Sequence, residues 1–351
     1  MKILQVENIA NVSYHLSKGL VERGYDVTLI VRRYKDVVNW DLPSKYNDPW
    51  IHFFKGETFF DKTIRYCSEV LSHKVDIIHC HYALEQGLYG VISKRVGRSK
   101  KLVIHGHGTD LREIIHTKKY GWMVRLNLKE ADKVLVSTSD LLLRKDFELF
   151  PNPIDETLFT PNKPSLDLHK GHDYAIFCPS RQVWRHKGQD KFLQALKTLV
   201  YEGYDIMLTM INYGEDYERS KNLVKSLNLE DHILFVDAIN PEDMPAYYNS
   251  CDLVWSQFGL GHIGLTTLES MSCNKITFAD LNYESSYDTP PPIVNVHSVS
   301  DIIDLTKKAL NKELNLGTKP REWVLIHHGY SRAIDRLEEI YSELLSSSKI
   351  S

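Results

Sequence analysis

The sequence has few cysteines, no excess of either charge, and no hydrophobic run long enough to cross a membrane. Its five cysteines, Cys67, Cys80, Cys178, Cys251 and Cys273, are scattered over 351 residues and never spaced as C-x-x-C. That pattern excludes a disulfide framework and a structural zinc site and points to reduced thiols in a cytoplasm-like compartment. With 43 basic and 46 acidic residues the net charge is -3, so no overall field concentrates a polyanion and nucleic acid is not an expected partner. The opening MKILQVENIANVSYHL enters a strand-like run rather than the apolar core of a signal peptide. A cytoplasmic protein is expected, with peripheral contact at the cytoplasmic face of a membrane left open. No repeat stands out at solenoid periods, and Pro290-Pro291-Pro292 reads as a rigid loop.

What is present is a long alternation of apolar runs and helical patterns. KILQVENI reads as a strand, Val12 to Arg23 as an amphipathic helix ending at Gly24, and YDVTLIVRR as a second strand. VDIIHCH, KLVIHGH and DKVLVSTS continue as strands of a buried parallel sheet. The pattern breaks at FPNPIDETLFTPNKP, where prolines and turn formers mark a linker. It restarts with YAIFCPS, a helix from about Lys187 to Gly203, YDIMLTMI, HILFVDA, a helix from Met244 to Asn249, and DLVWSQF. The expected fold is α/β, with two doubly wound Rossmann-like domains over 1–155 and 156–328 facing a central cleft. Residues 329–351 close the chain with a helix striped by Ile334, Leu337, Ile340, Tyr341 and Leu344, expected to turn back toward the first domain.

Open α/β sheets bind ligands at the carboxyl ends of their strands, so chemistry is sought there. SQFGLGHIGLTTLESM joins a strand end to a helix through a glycine-rich turn. Glycines admit a ligand close to the backbone, and the bare N–H groups of a helix start favour phosphate. Gly259, Gly261 and Gly264 spell G-x-G-x-x-G, with Asp280 ending the next strand, which keeps a nucleotide-dependent oxidoreductase open as an alternative. That motif, however, falls late in its domain rather than in the first β-α-β unit, where a dinucleotide fold carries it. The bland explanation is a turn used only for tight helix–sheet packing.

CPSRQVWRHKGQDKFLQAL sets Arg181, Arg185 and Lys187 on a loop after a strand, where cations can neutralise a diphosphate; Arg185 reads as a solvated loop residue. KLVIHGHGTDLRE sets His105, His107 and Asp110 at and beyond another strand end, and His79 and His81 form a second H-x-H. A histidine there can act on a ligand, and Asp110 can accept a substrate hydroxyl or cap a helix. Without further ligands at recognisable spacing, no metal is expected. RRYKDVVNWDLPSKYNDPWIHFFKGETFF interleaves Arg32, Arg33 and Lys35 with Trp40, Trp50, Phe53 and Phe54. That composition suits a membrane interface, and equally an ordinary connection whose aromatics are core.

Taken together, VSYHLSKGLVERGYDVTLI, DIIHCHYA, IHGHGTDLR, ADKVLVSTSDLL, FPNPIDETLFTP, CPSRQVWRHKGQDKFLQAL and FGLGHIGLTTLESMSCNKITFAD resemble, in order, the motifs of retaining GT-B glycosyltransferases of family 4, also called group 1. The resemblance spans nearly the whole chain. It implies a glycosyltransferase that moves a sugar from a UDP- or GDP-sugar to a glycan or lipid-linked acceptor with retained configuration, needing no metal or other cofactor. Arg181 and Lys187 match the basic pair on the donor phosphates, Ile263, Gly264 and Leu265 the helix start that receives the diphosphate, and Glu269 the carboxylate on the ribose hydroxyls. His107 matches a histidine near donor sugar and acceptor, with Asp110 in the same motif.

Two departures stand out. The first glutamate of the family's E-x7-E falls on Gly261, and the glycine pair after the first strand falls near Ala10 and Asn11 on the acceptor side. Asn152-Pro153 replaces the family's Asn-Gly at the linker. These losses raise a further alternative, a nucleotide-sugar binding protein of the same fold with weak or no transferase activity.

Overall fold

A computed structural model of the chain describes residues 1–32, 48–54, 61–282 and 287–347. The chain divides into two compact units, Met1–Pro153 with Tyr330–Ser351, and Ile154–Gly329. The first opens with β1 (Lys2–Val6), α1 (Val12–Glu22), β2 (Asp26–Arg32), β3 (Ile51–Phe54), α2 (Tyr66–Ser72) and β4 (Val75–His81). It continues with α3 (Glu85–Arg95), β5 (Ser99–Gly106), α4 (Thr109–Arg112), α5 (Gly121–Glu130), β6 (Lys133–Val136) and β7 (Phe147–Leu149). The strands form a parallel sheet in the order β3-β2-β1-β4-β5-β6-β7.

The second unit holds β8 (Tyr174–Cys178), α6 (Trp184–Lys187), α7 (Gln189–Tyr201), β9 (Ile206–Ile211), α8 (Tyr217–Ser226), β10 (Ile233–Val236) and α9 (Met244–Ser250). Then come β11 (Leu253–Gln257), α10 (Leu265–Ser272), β12 (Ile276–Ala279), β13 (Val294–Asn295), α11 (Val299–Leu310) and α12 (Pro320–His328). Its sheet is also parallel, in the order β10-β9-β8-β11-β12-β13. The last helix, α13 (Tyr330–Ser346), belongs to the first unit.

Strands covered on both faces need apolar residues at consecutive positions, which is why these read as unbroken runs. In β1, Leu4 and Val6 pack with Ile78 and Leu102 on one face, while Ile3 on the other meets Leu16 of α1 and Ile334 and Leu337 of α13. In the second unit Ile176, Leu208 and Trp255 pack on Phe192 and Leu196 of α7, while Phe177 and Val254 face Leu268 and Met271 of α10 and Trp323 of α12. Burying one such side chain contributes about 1.5–3 kcal/mol.

The helix expected over about 187–203 is α7, preceded by the short α6, which was not expected. Gly188, at φ 65, turns the chain between α6 and α7, a left-handed conformation that favours glycine. The short strands β3 and β7 and the helix α12 carry too little periodicity to be read in advance. In the aromatic and basic segment, Arg33, Lys35 and Trp40 lie outside the described residues. Of its described residues, Trp50 stacks on Tyr14 at 5.5 Å, Phe54 meets Tyr66 edge-on, and Arg32 is buried between Glu7 and Glu85. Among the described residues no helix is long and apolar enough to cross a membrane.

Strand order reverses between β1 and β4 in one sheet and between β8 and β11 in the other. These switch points fix where each unit offers a crevice at its carboxyl edge.

Candidate functional site

In the second unit the loops after β8 and β11 lie against each other. Gln257, the last residue of β11, is fully buried and links them. Its Oε1 accepts a hydrogen bond from Lys187 Nζ at 2.9 Å, and its Nε2 donates to the His262 carbonyl in the glycine-rich turn. The Phe258 amide donates to the Lys187 carbonyl at 3.1 Å, and Lys191 Nζ sits 3.9 Å over the Phe258 ring. Arg181 is exposed on the loop after β8, its carbonyl held by Gln189 Nε2 at 2.8 Å. Arg185 points away to Glu215 at 3.7 Å.

Gly264 is the N-cap of α10 and carries no side chain to occupy the first-turn amides; no acidic residue stands in that turn. A Cβ at Gly264 would come within 2.7 Å of Gln257 Oε1, so the close approach of turn and strand end requires glycine there. Ile263 is buried beneath the turn, and Leu265 opens the helix. The arrangement is an uncapped helix start beside a lysine and an arginine, a receptor for a multiply charged anion.

Glu269 stands one turn into α10 and is partly buried. Desolvation pushes its carboxyl up to about 7, against the hydrogen bond from Tyr248 Oη at 2.8 Å, which lowers it. Asp280, the ribose candidate of the dinucleotide alternative, is paired instead with His297 Nδ1 at 3.0 Å. Gly261 takes φ 66, and a Cβ there would fall 2.4 Å from Asn282 Nδ2. A glutamate at this position would meet both a left-handed backbone and an occupied space.

In the first unit, the turn after β1 keeps left-handed geometry without glycine: Glu7, Ala10 and Asn11 have φ of 74, 50 and 60. Asn8 holds it, its Nδ2 donating to Asn11 Oδ1 at 3.0 Å while its Oδ1 accepts from Ser13 Oγ and the Tyr14 amide. Such residues cost on the order of 1–3 kcal/mol each unless the surroundings fix them. Asp110 is fully buried: Oδ1 accepts the His107 and Gly108 amides, and Oδ2 that of Ala83 at 2.9 Å. It therefore joins the loops after β4 and β5 and sets the position of His107.

His79, His81, His105 and His107 stack as a ladder across β4 and β5, with ring centroids 4.2–5.6 Å apart. Burial lowers the pKa of all four, to about 3 for His79 and His107, so the rings are neutral at ordinary pH. A hydrogen-bond chain fixes the tautomers of His81 and His107. Gln5 Oε1 can only accept, so His81 Nε2, at 2.7 Å, donates to it. His81 Nδ1 is then the acceptor for His107 Nε2 at 3.0 Å, which leaves His107 Nδ1 as the unprotonated, accepting nitrogen. Beyond Gln5 the chain continues to Tyr341 Oη of α13 and His79 Nδ1.

The structure thus brings Arg181, Lys187, Gly261, Ile263, Gly264, Leu265 and Glu269 to one edge of the second unit, and Asn11, His107 and Asp110 to the switch-point edge of the first. Gln257, Tyr248, Gln5 and Tyr341 were not anticipated. A glutamine ending an otherwise apolar strand, in VWSQF, was the available signal for Gln257; Tyr341 looked like one more member of a hydrophobic stripe.

Residues 9–143 match the family described as Glycosyltransferase Family 4, and residues 165–283 match Glycosyl transferases group 1. Among curated proteins, N-acetyl-alpha-D-glucosaminyl L-malate synthase of Bacillus anthracis is 22% identical over 374 aligned positions, covering 96% of this chain and 94% of that protein. The phosphatidylinositol N-acetylglucosaminyltransferase GPI3 subunit of Saccharomyces cerevisiae is 20% identical over 95% of this chain and 79% of its own length. Among solved structures, Anabaena HepE in complex with UDP and glucose superposes with a TM-score of 0.73 at 16% identity, over 98% of this chain and 100% of that one. Sucrose-phosphate synthase from Thermosynechococcus elongatus gives 0.72 at 16% identity over 99% of this chain and 100% of that one, a likeness of fold.

Proposed function

The chain belongs to the family 4, group 1 glycosyltransferases of GT-B fold, and from that premise we propose that it transfers a sugar from a UDP- or GDP-sugar to a lipid-linked or glycan acceptor with retention of anomeric configuration. The observation that carries this reading is the Lys187–Gln257 contact beside the uncapped start of α10. A diphosphate set there meets the Lys187 ammonium, the exposed Arg181 guanidinium and the amides at Gly264 and Leu265. Glu269 one turn on accepts the ribose hydroxyls.

In the reaction the acceptor hydroxyl adds to the anomeric carbon on the face from which the diphosphate leaves. The bond from that carbon to the phosphate oxygen breaks, and the acceptor's proton passes to the leaving phosphate. Negative charge builds on the phosphate, so the cationic and amide groups lower the barrier more than they strengthen ground-state binding. Removing one such contact costs about 2.7–4 kcal/mol, or roughly a hundredfold to a thousandfold in kcat. His107, neutral and with Nδ1 as an acceptor, receives a hydroxyl of the transferred sugar. These residues need no metal for their part. The reaction belongs on the cytoplasmic side of a membrane, where nucleotide-sugars are made and lipid-linked acceptors are exposed.

The phosphatidylinositol N-acetylglucosaminyltransferase subunit supports the lipid acceptor, while the relative named for malate adds a small hydroxy acid to the acceptors worth testing. The test is release of UDP or GDP by the purified protein from a panel of UDP- and GDP-sugars with a lipid extract as acceptor. Lys187→Ala should slow release by about a hundredfold or more. Saturable nucleotide-sugar binding with no turnover on any acceptor would favour the second reading, a binding protein, for which Gly261 in place of the family's glutamate is the specific observation. Stabilisation by NAD and by no nucleoside diphosphate would overturn both.

A further inference from the structure

We propose that His172, Asp205 and His232 form a binding site for a divalent transition-metal ion at the amino edge of the second unit's sheet. Asp205 and His232 sit immediately before β9 and β10 and His172 two residues before β8, strands that are neighbours in the sheet, so the chain delivers them side by side at the edge opposite the Lys187 loop. One ligand atom from each lies within 4.8 Å of the other two. The His172 and His232 ring centroids are 5.0 Å apart, with planes tilted by 53° rather than stacked.

The hydrogen bonds around the trio prepare it. His232 Nδ1 lies 2.8 Å from the Ile206 carbonyl. A carbonyl only accepts, so Nδ1 carries the proton and Nε2 keeps its lone pair, the tautomer a metal requires. His172 Nδ1 lies 2.6 Å from Asp205 Oδ1, so the two atoms face one another, and an ion that enters takes the Nδ1 lone pair and a carboxylate oxygen and releases the proton they share. All three residues are partly exposed, so an ion reaches them from solvent, and the free coordination positions go to water. Two imidazoles and one carboxylate select zinc-like ions over magnesium or calcium, which take all-oxygen sites.

The other histidine groups differ in these respects. His79, His81 and His105 are fully buried, two of their pairs are stacked within 25°, and both nitrogens of His81 are already engaged. In the His52–Glu69–His73 group both histidines lie 3.8 Å from the same carboxylate oxygen. The proposed ion is remote from the strand ends that carry Lys187 and Glu269, and its role is to staple three strand starts together. It does not depend on the sugar-transfer reading.

The test is a titration of the chelator-stripped full chain with cobalt(II), followed by visible absorption and melting temperature, with zinc(II) as competitor and excess magnesium(II) as control. One cobalt per chain, a d–d band bleached by zinc and untouched by magnesium, and a raised melting temperature are expected. His232→Ala should weaken binding at least tenfold, and His172→Ala combined with His232→Ala should remove it; His232→Gln serves if the double variant does not fold. No band in the unaltered chain, or a band that survives the double variant, overturns the site. Unchanged binding in a His52→Ala variant separates it from the first unit's surface histidines.

Discussion

Lys187 Nζ donates to Gln257 Oε1 at 2.9 Å, tying a loop cation to the last residue of a buried strand. A flexible ammonium on a surface loop gains little from pre-existing charge alone; fixed to a rigid strand end, it is in place before the donor arrives. Lys187→Met should lower kcat by on the order of a hundredfold. Gln257→Leu should lower it by a smaller factor, since the lysine remains but wanders. The two effects should fall well short of additive in a double-mutant cycle of kcat/KM, and full additivity would show that Gln257 does not position the lysine.

Glu269 ties stability to function with opposite signs. Its folded pKa of about 7 lies above the ordinary carboxyl value. Between about pH 4.5 and 7 the unfolded chain has released a proton that the folded chain keeps, so this contribution is present below 4.5 and lost as pH rises through 7. Glu269→Gln should therefore raise the unligated protein's stability by about 1–3 kcal/mol at pH 8 and by little at pH 4, read from denaturant midpoints. The same variant should weaken nucleotide binding, measured by calorimetry.

The histidine ladder predicts acid sensitivity of the first unit. His79 and His107 stay neutral down to about pH 3, whereas in the unfolded chain they protonate near 6.5. Across that window the unfolded state binds more protons, and stability falls by about 1.4 kcal/mol per pH unit for each such histidine. Replacing His79 with Gln, which keeps a partner for Tyr341, should flatten the pH dependence of the melting temperature between pH 6 and 4. An unchanged slope would mean that the ladder does not set it.

Restoring the family's missing carboxylate should not be a simple repair. Gly261→Glu forces a side chain into a φ of 66 and against Asn282. A loss of more than about 1 kcal/mol is expected, with no gain in transfer rate. Relief of the clash by Asn282→Gly in the same chain should recover part of the stability, and a fully stable single variant with higher kcat would show that the space is open after all.

The β-α-β alternation, both doubly wound sheets and the linker were legible because parallel strands buried on two faces must be continuously apolar. The residues along the second unit's carboxyl edge were legible because a close turn into a helix start demands glycine and leaves a readable spacing. Asp110 was harder to read: the same aspartate can face a substrate or its own loop, and only the three amides around it decide. Gln5 and Tyr341 were out of reach, since they meet across 336 positions of sequence. Periodicity reports which face of a helix is buried, but not which polar atom waits there.

Helix α13 is made after the whole second unit, yet its Ile334, Leu337, Ile340 and Tyr341 complete a cluster begun by Ile3. On the ribosome, the first unit's sheet must wait through the entire synthesis of the second unit with one face covered by α1 but not yet by α13, and His79 without its tyrosine. Ribosome-bound chains stopped before position 330 should accordingly engage chaperones that released chains escape, and the second unit, an uninterrupted stretch of sequence, should be the first to reach its native state.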